Sequence, residues 1–174
     1  MTSDDDDYTV YSGGTFDLLH AGHIDLLRVC RKLSGRHGSV VIALNTDEFI
    51  TQFKGTPPVC SYEERRDVLE ACRYVDEVIP NLAGQDSKPT IESVRPNFIL
   101  IGDDWAKKDY YAQMMFTPQW LDERGITLLY VPRQRQLSST QIKERTNGLM
   151  GPHPLSAEQT GSVASPARVT RTSA

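Results

Sequence analysis

Apolar positions along this chain follow two alternating rhythms. Runs rich in β-branched residues at 8–12, 39–44, 75–79, 97–101 and 127–131 have the length and composition of strands. Between them, segments 23–33, 61–72, 90–94 and 117–124 follow helical spacing. In the first of these Ile24, Leu27, Cys30 and Leu33 share one face, while Asp25, Arg28 and Arg31 fall on the other. The run Val40-Val41-Ile42-Ala43-Leu44 has no polar position, which predicts a strand covered on both faces. Strand and helix alternate without an internal repeat. The pattern predicts an α/β fold: a single Rossmann-like domain with a five-stranded parallel sheet and helices on both faces. Ligands of such sheets bind beyond the carboxyl ends of the strands, so the loops after each strand are the places to look for chemistry.

Composition narrows this picture. The 174 residues suit one domain with ends, and the net charge is −4. Much of the acid excess is the run 4–7, and after Thr146 the only charges are Glu158, Arg168 and Arg171. Residues 1–7 and 147–174 are therefore expected to be a disordered acidic start and a disordered Ser/Thr/Pro/Gly/Ala-rich tail, around a folded body at 8–146. That body lacks the basic surplus of a duplex-binding protein, so no nucleic-acid partner is expected. No apolar run approaches the ~18 residues a bilayer needs, and no basic-then-apolar leader opens the sequence, so membrane insertion and secretion are not expected. Cys30, Cys60 and Cys72 are too far apart for a C-x-x-C pair and read as reduced thiols of a cytoplasmic protein.

Candidate chemistry begins after the first strand, at Gly13-Gly14-Thr15-Phe16-Asp17-Leu18-Leu19-His20-Ala21-Gly22-His23. Two glycines allow a tight turn and close approach of a ligand, and a helix start favours an anion. His20 and His23 are three residues apart at that start, with Gly22 between them leaving room for a phosphate. Spacing alone leaves a phosphate site and an ordinary surface loop both open. Zinc is disfavoured because no cysteine or carboxylate lies at ligand spacing, and neither a Walker lysine loop nor G-x-G-x-x-G occurs. Near the end, Ser138, Ser139 and Thr140 open the last helix, where hydroxyls and unpaired N–H groups make a second candidate anion cradle.

The stretch from Gly14 to His23 resembles the signature of the cytidylyltransferases within the HxGH nucleotidyltransferase superfamily. Three later segments resemble the same family in the same order. They are Arg73-Tyr74-Val75-Asp76-Glu77-Val78, then Gly102-Asp103-Asp104-Trp105, then Arg133 followed by Ser138-Ser139-Thr140-Gln141-Ile142. The resemblance covers nearly all of 8–146 and is nearest to the bacterial glycerol-3-phosphate cytidylyltransferases. It implies CMP transfer from CTP to sn-glycerol 3-phosphate, giving CDP-glycerol for wall teichoic acid and releasing pyrophosphate, in a cytoplasmic homodimer.

The same resemblance implies roles for individual residues. His20, His23, Lys54 and Arg133 would be catalytic. Gly14, Thr15, Phe16, Asp17, Gly22, Asp103, Ser138, Ser139 and Thr140 would bind the nucleotide, the last three at its β- and γ-phosphates. Lys54, Arg65, Arg73 and Asp76 would bind the acceptor, with an Arg73–Asp76 ion pair as an equal alternative. Asp17 would orient the histidine loop and contact a metal, with Mg²⁺ entering alongside CTP. Arg66, about 100° around the helix from Arg65, is expected in solvent. One stretch departs from the family's R-T-E-G-I-S: here it is Arg133-Gln134-Arg135-Gln136-Leu137-Ser138, with Arg135 for an acid and Gln136 for a glycine. That departure leaves other readings open: adenylyl transfer to a flavin or a sugar phosphate, cytidylyl transfer to phosphoethanolamine or phosphocholine, and a catalytically inactive nucleotide-binding module.

Overall fold

The computed structural model describes residues 7–103, 109–132 and 137–149. Its strands are β1 (Thr9–Gly14), β2 (Ser39–Asn45), β3 (Glu77–Asn81), β4 (Phe98–Gly102) and β5 (Thr127–Val131). The helices are α1 (Ala21–Ser34), α2 (Asp47–Lys54), α3 (Tyr62–Glu70), α4 (Lys88–Val94), α5 (Tyr110–Met114), α6 (Pro118–Asp122) and α7 (Ser139–Leu149). All strand pairings are parallel, in the order β3-β2-β1-β4-β5. The order reverses between β1 and β4, which opens a crevice at the carboxyl ends of these two central strands.

Two-residue periodicity divides the core into two layers. Val10, Val40, Ile42, Leu44 and Leu100 face α1 and α3 through Leu27, Cys30 and Leu69. Tyr11, Ala43, Ile99 and Ile101 face the opposite way, onto Ile91 of α4, Tyr110 of α5 and Leu121 of α6. Helices thus cover both faces, and β2 is buried from Val40 to Leu44 as its uninterrupted apolar run predicts. Each such buried side chain contributes about 1.5–3 kcal/mol by leaving water.

Helix ends carry their signals in sequence. Ser61 and Glu64 form a reciprocal capping box on α3, Thr46 caps α2, and Thr117 with Pro118 starts α6. β3 begins two residues later than the apolar pattern predicts, because Val75 is held in a turn on the Cys72 carbonyl. Pro80 is tolerated because β3 is an edge strand. Asp7, grouped with the acidic start by composition, accepts a hydrogen bond from the His37 N–H at 2.8 Å. α7 runs three residues past the expected boundary at 146. The rest of the two expected tails, 1–6 and 150–174, lies outside the described residues.

Candidate functional site

The loop from β1 into α1 follows a strained path. Phe16 and Leu18 are non-glycine residues with φ of 49° and 50°, and Phe16 is nonetheless buried. Such residues cost on the order of 1–3 kcal/mol each and persist only where their surroundings hold them. The holders are identifiable. Arg65 donates to the Thr15 carbonyl at 2.5 Å, Asp17 accepts from the N–H groups of Val59 and Cys60 at 3.0–3.1 Å, and the Ser139 hydroxyl donates to the Asp17 carbonyl at 2.6 Å.

This path delivers His20 as the N-cap of α1. Its Nδ1 accepts from the Gly22 N–H at 3.1 Å, and His23 Nδ1 accepts from the His20 N–H at 3.4 Å. A ring nitrogen that accepts carries no proton, so on each neutral ring the N–H is Nε2. The two rings stack with centroids 3.9 Å apart, and Phe16 packs on His23 at 5.2 Å. A Cβ at Gly22 would lie 3.0 Å from the His20 ring and 3.2 Å from the Leu137 carbonyl, so glycine is what lets the start of α7 close over the start of α1. α1 begins two residues before the amphipathic pattern does, since the first turn is organised by polar capping and carries no core residue.

At the second helix start, Ser138 and Gln141 form a reciprocal cap: Ser138 Oγ accepts from the Gln141 N–H, and Gln141 Oε1 accepts from the Ser138 N–H. Of the three expected cradle hydroxyls, Ser138 is therefore a cap, Ser139 is a tie to the histidine loop, and Thr140 is exposed on the first turn. Lys54, the last residue of α2, donates from Nζ to Thr15 Oγ1 at 3.2 Å, which brings a cation to the same loop. Its position follows from Gly55, whose left-handed φ of 75° ends α2 there. Asp103 follows β4 at the crevice. The structure thus gathers Gly14, Thr15, Phe16, Asp17, His20, Gly22, His23, Lys54, Ser138 and Ser139 at one end of the sheet.

Of the other expected acceptor ligands, Arg65 is tied to this loop from within, and Asp76 and Arg73 lie away from it. Arg65 is 2% exposed and donates to the Cys60, Thr15 and Asn45 carbonyls and to Asp47, so its guanidinium is consumed in tying the loops after β1 and β2 to the start of α3. Asp76 accepts from the Val40 N–H at 2.7 Å and pairs with Arg31, not with Arg73. Val40 lies at the amino end of β2, so Asp76 is at the end of the sheet opposite the histidines. Arg73 is exposed and stacks over Tyr74 at 5.6 Å. Arg66 pairs loosely with Asp67 and Glu70 at the surface. Arg133, Asp104, Trp105 and the departing residues Arg135 and Gln136 lie outside the described residues.

Asp17 is the residue on which the site converges. Besides its two N–H donors it takes an ion pair from Lys143 Nζ at 2.8 Å. Burial pushes its carboxyl up, but the Lys143 hydrogen bond and those from Cys60 and Val59 outweigh this and hold it below the ordinary carboxylate value. Both oxygens are engaged, so serving as a metal ligand would require one of these bonds to break. Among the described residues no three His, Cys, Asp or Glu side chains form a group that could hold a metal ion. Lys143, Asp47, Asn45 and the Val59–Cys60 amides escaped sequence reasoning; only the S-x-x-Q spacing of Ser138 and Gln141 could have announced its contact. A cavity of about 420 Å³ lies behind the loop, lined by Phe16, Leu18, Leu19, Cys60, Arg65 and Val68, and neither histidine lines it.

Comparison with known proteins agrees with this geometry. The chain is 39% identical over 140 residues to the glycerol-3-phosphate cytidylyltransferase of Bacillus subtilis, covering 80% of this chain and 98% of that one. It is 35% identical over 136 residues to the FAD synthase of Pyrococcus horikoshii, covering 78% and 90% respectively. Among solved structures, the lipopolysaccharide core biosynthesis protein from Thermoplasma volcanium superposes with a TM-score of 0.56 at 24% identity, over 74% of this chain and 98% of that one, a likeness of fold. The Cytidylyltransferase-like family model matches residues 11–145, and the chain accordingly belongs to the cytidylyltransferase-like family.

Proposed function

We propose that this nucleotidyltransferase moves CMP from CTP to a small phosphorylated alcohol, sn-glycerol 3-phosphate above others, producing CDP-glycerol and pyrophosphate. The observation that carries the reading is the paired histidine cap. Main-chain N–H groups occupy Nδ1 of both His20 and His23, which leaves Nε2–H as the donor of each ring beside two helix starts. An acceptor phosphate oxygen attacks the α-phosphorus in line, one P–O bond forms, and the bond to the β-phosphate bridge breaks with its electron pair leaving on pyrophosphate. This reaction needs no protein nucleophile; it needs fixed donors where negative charge grows. His20 and His23 supply these at the α-phosphate and the bridge, and Lys54 supplies a cation over Thr15. Asp103 is the nucleotide contact from β4, and Thr140 and the amides that open α7 receive the outer phosphates. Mg²⁺ bound to the triphosphate would neutralise part of its charge; among the described residues no three His, Cys, Asp or Glu side chains form a cage for it.

The same reading includes a cytoplasmic homodimer. Val59 and Val68, 60% and 49% exposed, are the kind of apolar surface a second subunit would cover.

Adenylyl transfer to a flavin is the second reading, favoured by the 35% identity to an FAD synthase. A panel of CTP and ATP crossed with glycerol 3-phosphate, phosphoethanolamine, phosphocholine, sugar phosphates and FMN separates the two, with pyrophosphate release as readout. Turnover of CTP with glycerol 3-phosphate is expected. Turnover only with ATP would replace the first reading by the second. Sedimentation at micromolar concentration tests the dimer.

A further inference from the structure

We infer that Lys143 is a positioning residue, an ammonium latch that docks α7 on the histidine loop through Asp17, so that the two helix starts are assembled before any nucleotide arrives. Its structural half stands on geometry alone, and its kinetic half rests on the nucleotidyl-transfer reading.

Among the described side chains of α7 none belongs to either layer of the core, and Thr140, Gln141 and 144–148 are exposed. Among the described residues, its polar ties to the body meet at Asp17. The Ser139 hydroxyl donates to the Asp17 carbonyl at 2.6 Å, and Lys143 Nζ meets Asp17 Oδ2 at 2.8 Å. Ser139 and Lys143 are four residues apart and so lie one above the other on the same helix face. The carboxylate that Lys143 meets is 5% exposed and pinned by the Val59 and Cys60 amides, which makes it a fixed anchor, while Ser139 holds the main-chain carbonyl of the same residue. The Lys143 side chain is 39% exposed, so the ion pair is half shielded from water and salt. Asp17 also lies between the strained Phe16 and Leu18, so one carboxylate couples the histidine loop, the segment before α3 and α7.

The chemistry of the pair predicts graded effects. Met in place of Lys143 keeps the length of the stem and removes the charge; Arg keeps the charge and can reach the same oxygen. Losing a hydrogen bond to a charged partner costs enough to raise the open population of α7 about tenfold. Because the latch does not touch the reacting atoms, its loss belongs in KM for the nucleotide, with kcat within about threefold.

The experiment compares the parent, Lys143→Met and Lys143→Arg. Amide hydrogen exchange on the free proteins is expected to speed about tenfold across α7 in Lys143→Met, with β2 unchanged, and to return to parental rates in Lys143→Arg. With CTP, KM is expected to rise about tenfold in Lys143→Met and to recover in Lys143→Arg. Unchanged exchange in α7 overturns the latch, and so does faster exchange with an unaltered KM or a failure of Arg to restore both. A fall in kcat at constant KM would assign Lys143 to the reacting atoms and overturn the positioning role. If the parent turns over no member of the substrate panel, the functional reading fails while the exchange data still decide the latch.

Discussion

Arg65 and Asp47 meet at 2.5 Å, the guanidinium 1% exposed and the carboxylate 33% exposed, and through this pair the start of α2 is joined to α3. Asp47 Oδ2 also accepts from the Tyr62 N–H, while Arg65 reaches on to the Thr15, Asn45 and Cys60 carbonyls. Lysine cannot reproduce a fork that serves four acceptors. Arg65→Lys keeps the charge beside Asp47 but leaves buried carbonyls without a donor, and is therefore expected to lose about 3 kcal/mol, at about 1–3 kcal/mol for each such group. In a chain of this size that is roughly a 10 °C fall in Tm. Arg73→Ala, at the opposite end of the sheet, is expected to cost well under ~1 kcal/mol as a surface change. Thermal melts of the two variants check the contrast, and equal Tm losses would contradict it.

His20 is a cap, and on the proposed reading also a catalytic donor, two duties that substitution can separate. As N-cap it accepts from the Gly22 N–H, a role asparagine fills equally well. As an Nε2–H donor it has no equal in asparagine. His20→Asn is expected to melt within a few degrees of the parent while kcat falls about 10²-fold, and His20→Ala to show the same loss of rate with about 1 kcal/mol less stability. His23→Ala should match the loss of rate. Unimpaired turnover in His20→Asn would remove His20 from the chemistry and leave it a cap.

Legibility followed the physics. Layers, parallel pairing and most helix starts could be read because burial imposes periods of 2 and 3.6 on residue type, as in Val40–Leu44 and the Leu27–Cys30 face of α1. The glycine loop with His20 and His23 could be read because short-range capping and close approach restrict which residues fit. The carbonyl partners of Arg65 are not legible in sequence, because a cation bound to carbonyls and a cation bound to phosphate look alike there; its 2% exposure and its acceptors belong to the fold. The partners of Asp76 are hidden for a related reason: Arg31 and Val40 are 45 and 36 residues away. Lys143 left no signal at all, since a lysine on a polar helix ordinarily faces solvent.

The three thiols are expected to separate by reactivity. Cys30 is fully buried in the α1 layer, and burial pushes its thiol up to about 12. At pH 8 its thiolate fraction is then about 10⁻⁴, and reagent must also wait for the fold to open. Cys60 and Cys72 are partly exposed and should react first. Titration with a chromogenic disulfide should show two fast thiols and one slow one that becomes fast in denaturant; three fast thiols in the native protein would contradict this packing.

Asp17 gives the site a pH signature with a definite sign. Its folded-state pKa lies below the ordinary value of 3.8, because the Lys143 and amide hydrogen bonds outweigh the upward push of burial. A group depressed in the folded state contributes stability at pH values above its unfolded pKa, and that contribution fades as pH falls through the folded value. Asn in place of Asp17 cannot ionise, and its amide turns an N–H₂ toward the donors on Val59, Cys60 or Lys143. Asp17→Asn is thus expected to be less stable than the parent near neutrality by on the order of 2 kcal/mol, the scale of a hydrogen bond to a charged group. Below pH 3.8 the parent begins to protonate and the deficit should shrink. Denaturant melts at pH 7, 5, 4 and 3 measure this directly: the two proteins are expected to keep a constant gap from pH 7 to 5 and to converge in acid. A gap that widened on acidification would mean that the carboxyl is raised and that burial outweighs its donors. A gap that stayed constant to pH 3 would mean that the carboxyl is not depressed in the fold, burial cancelling its Lys143 and amide donors.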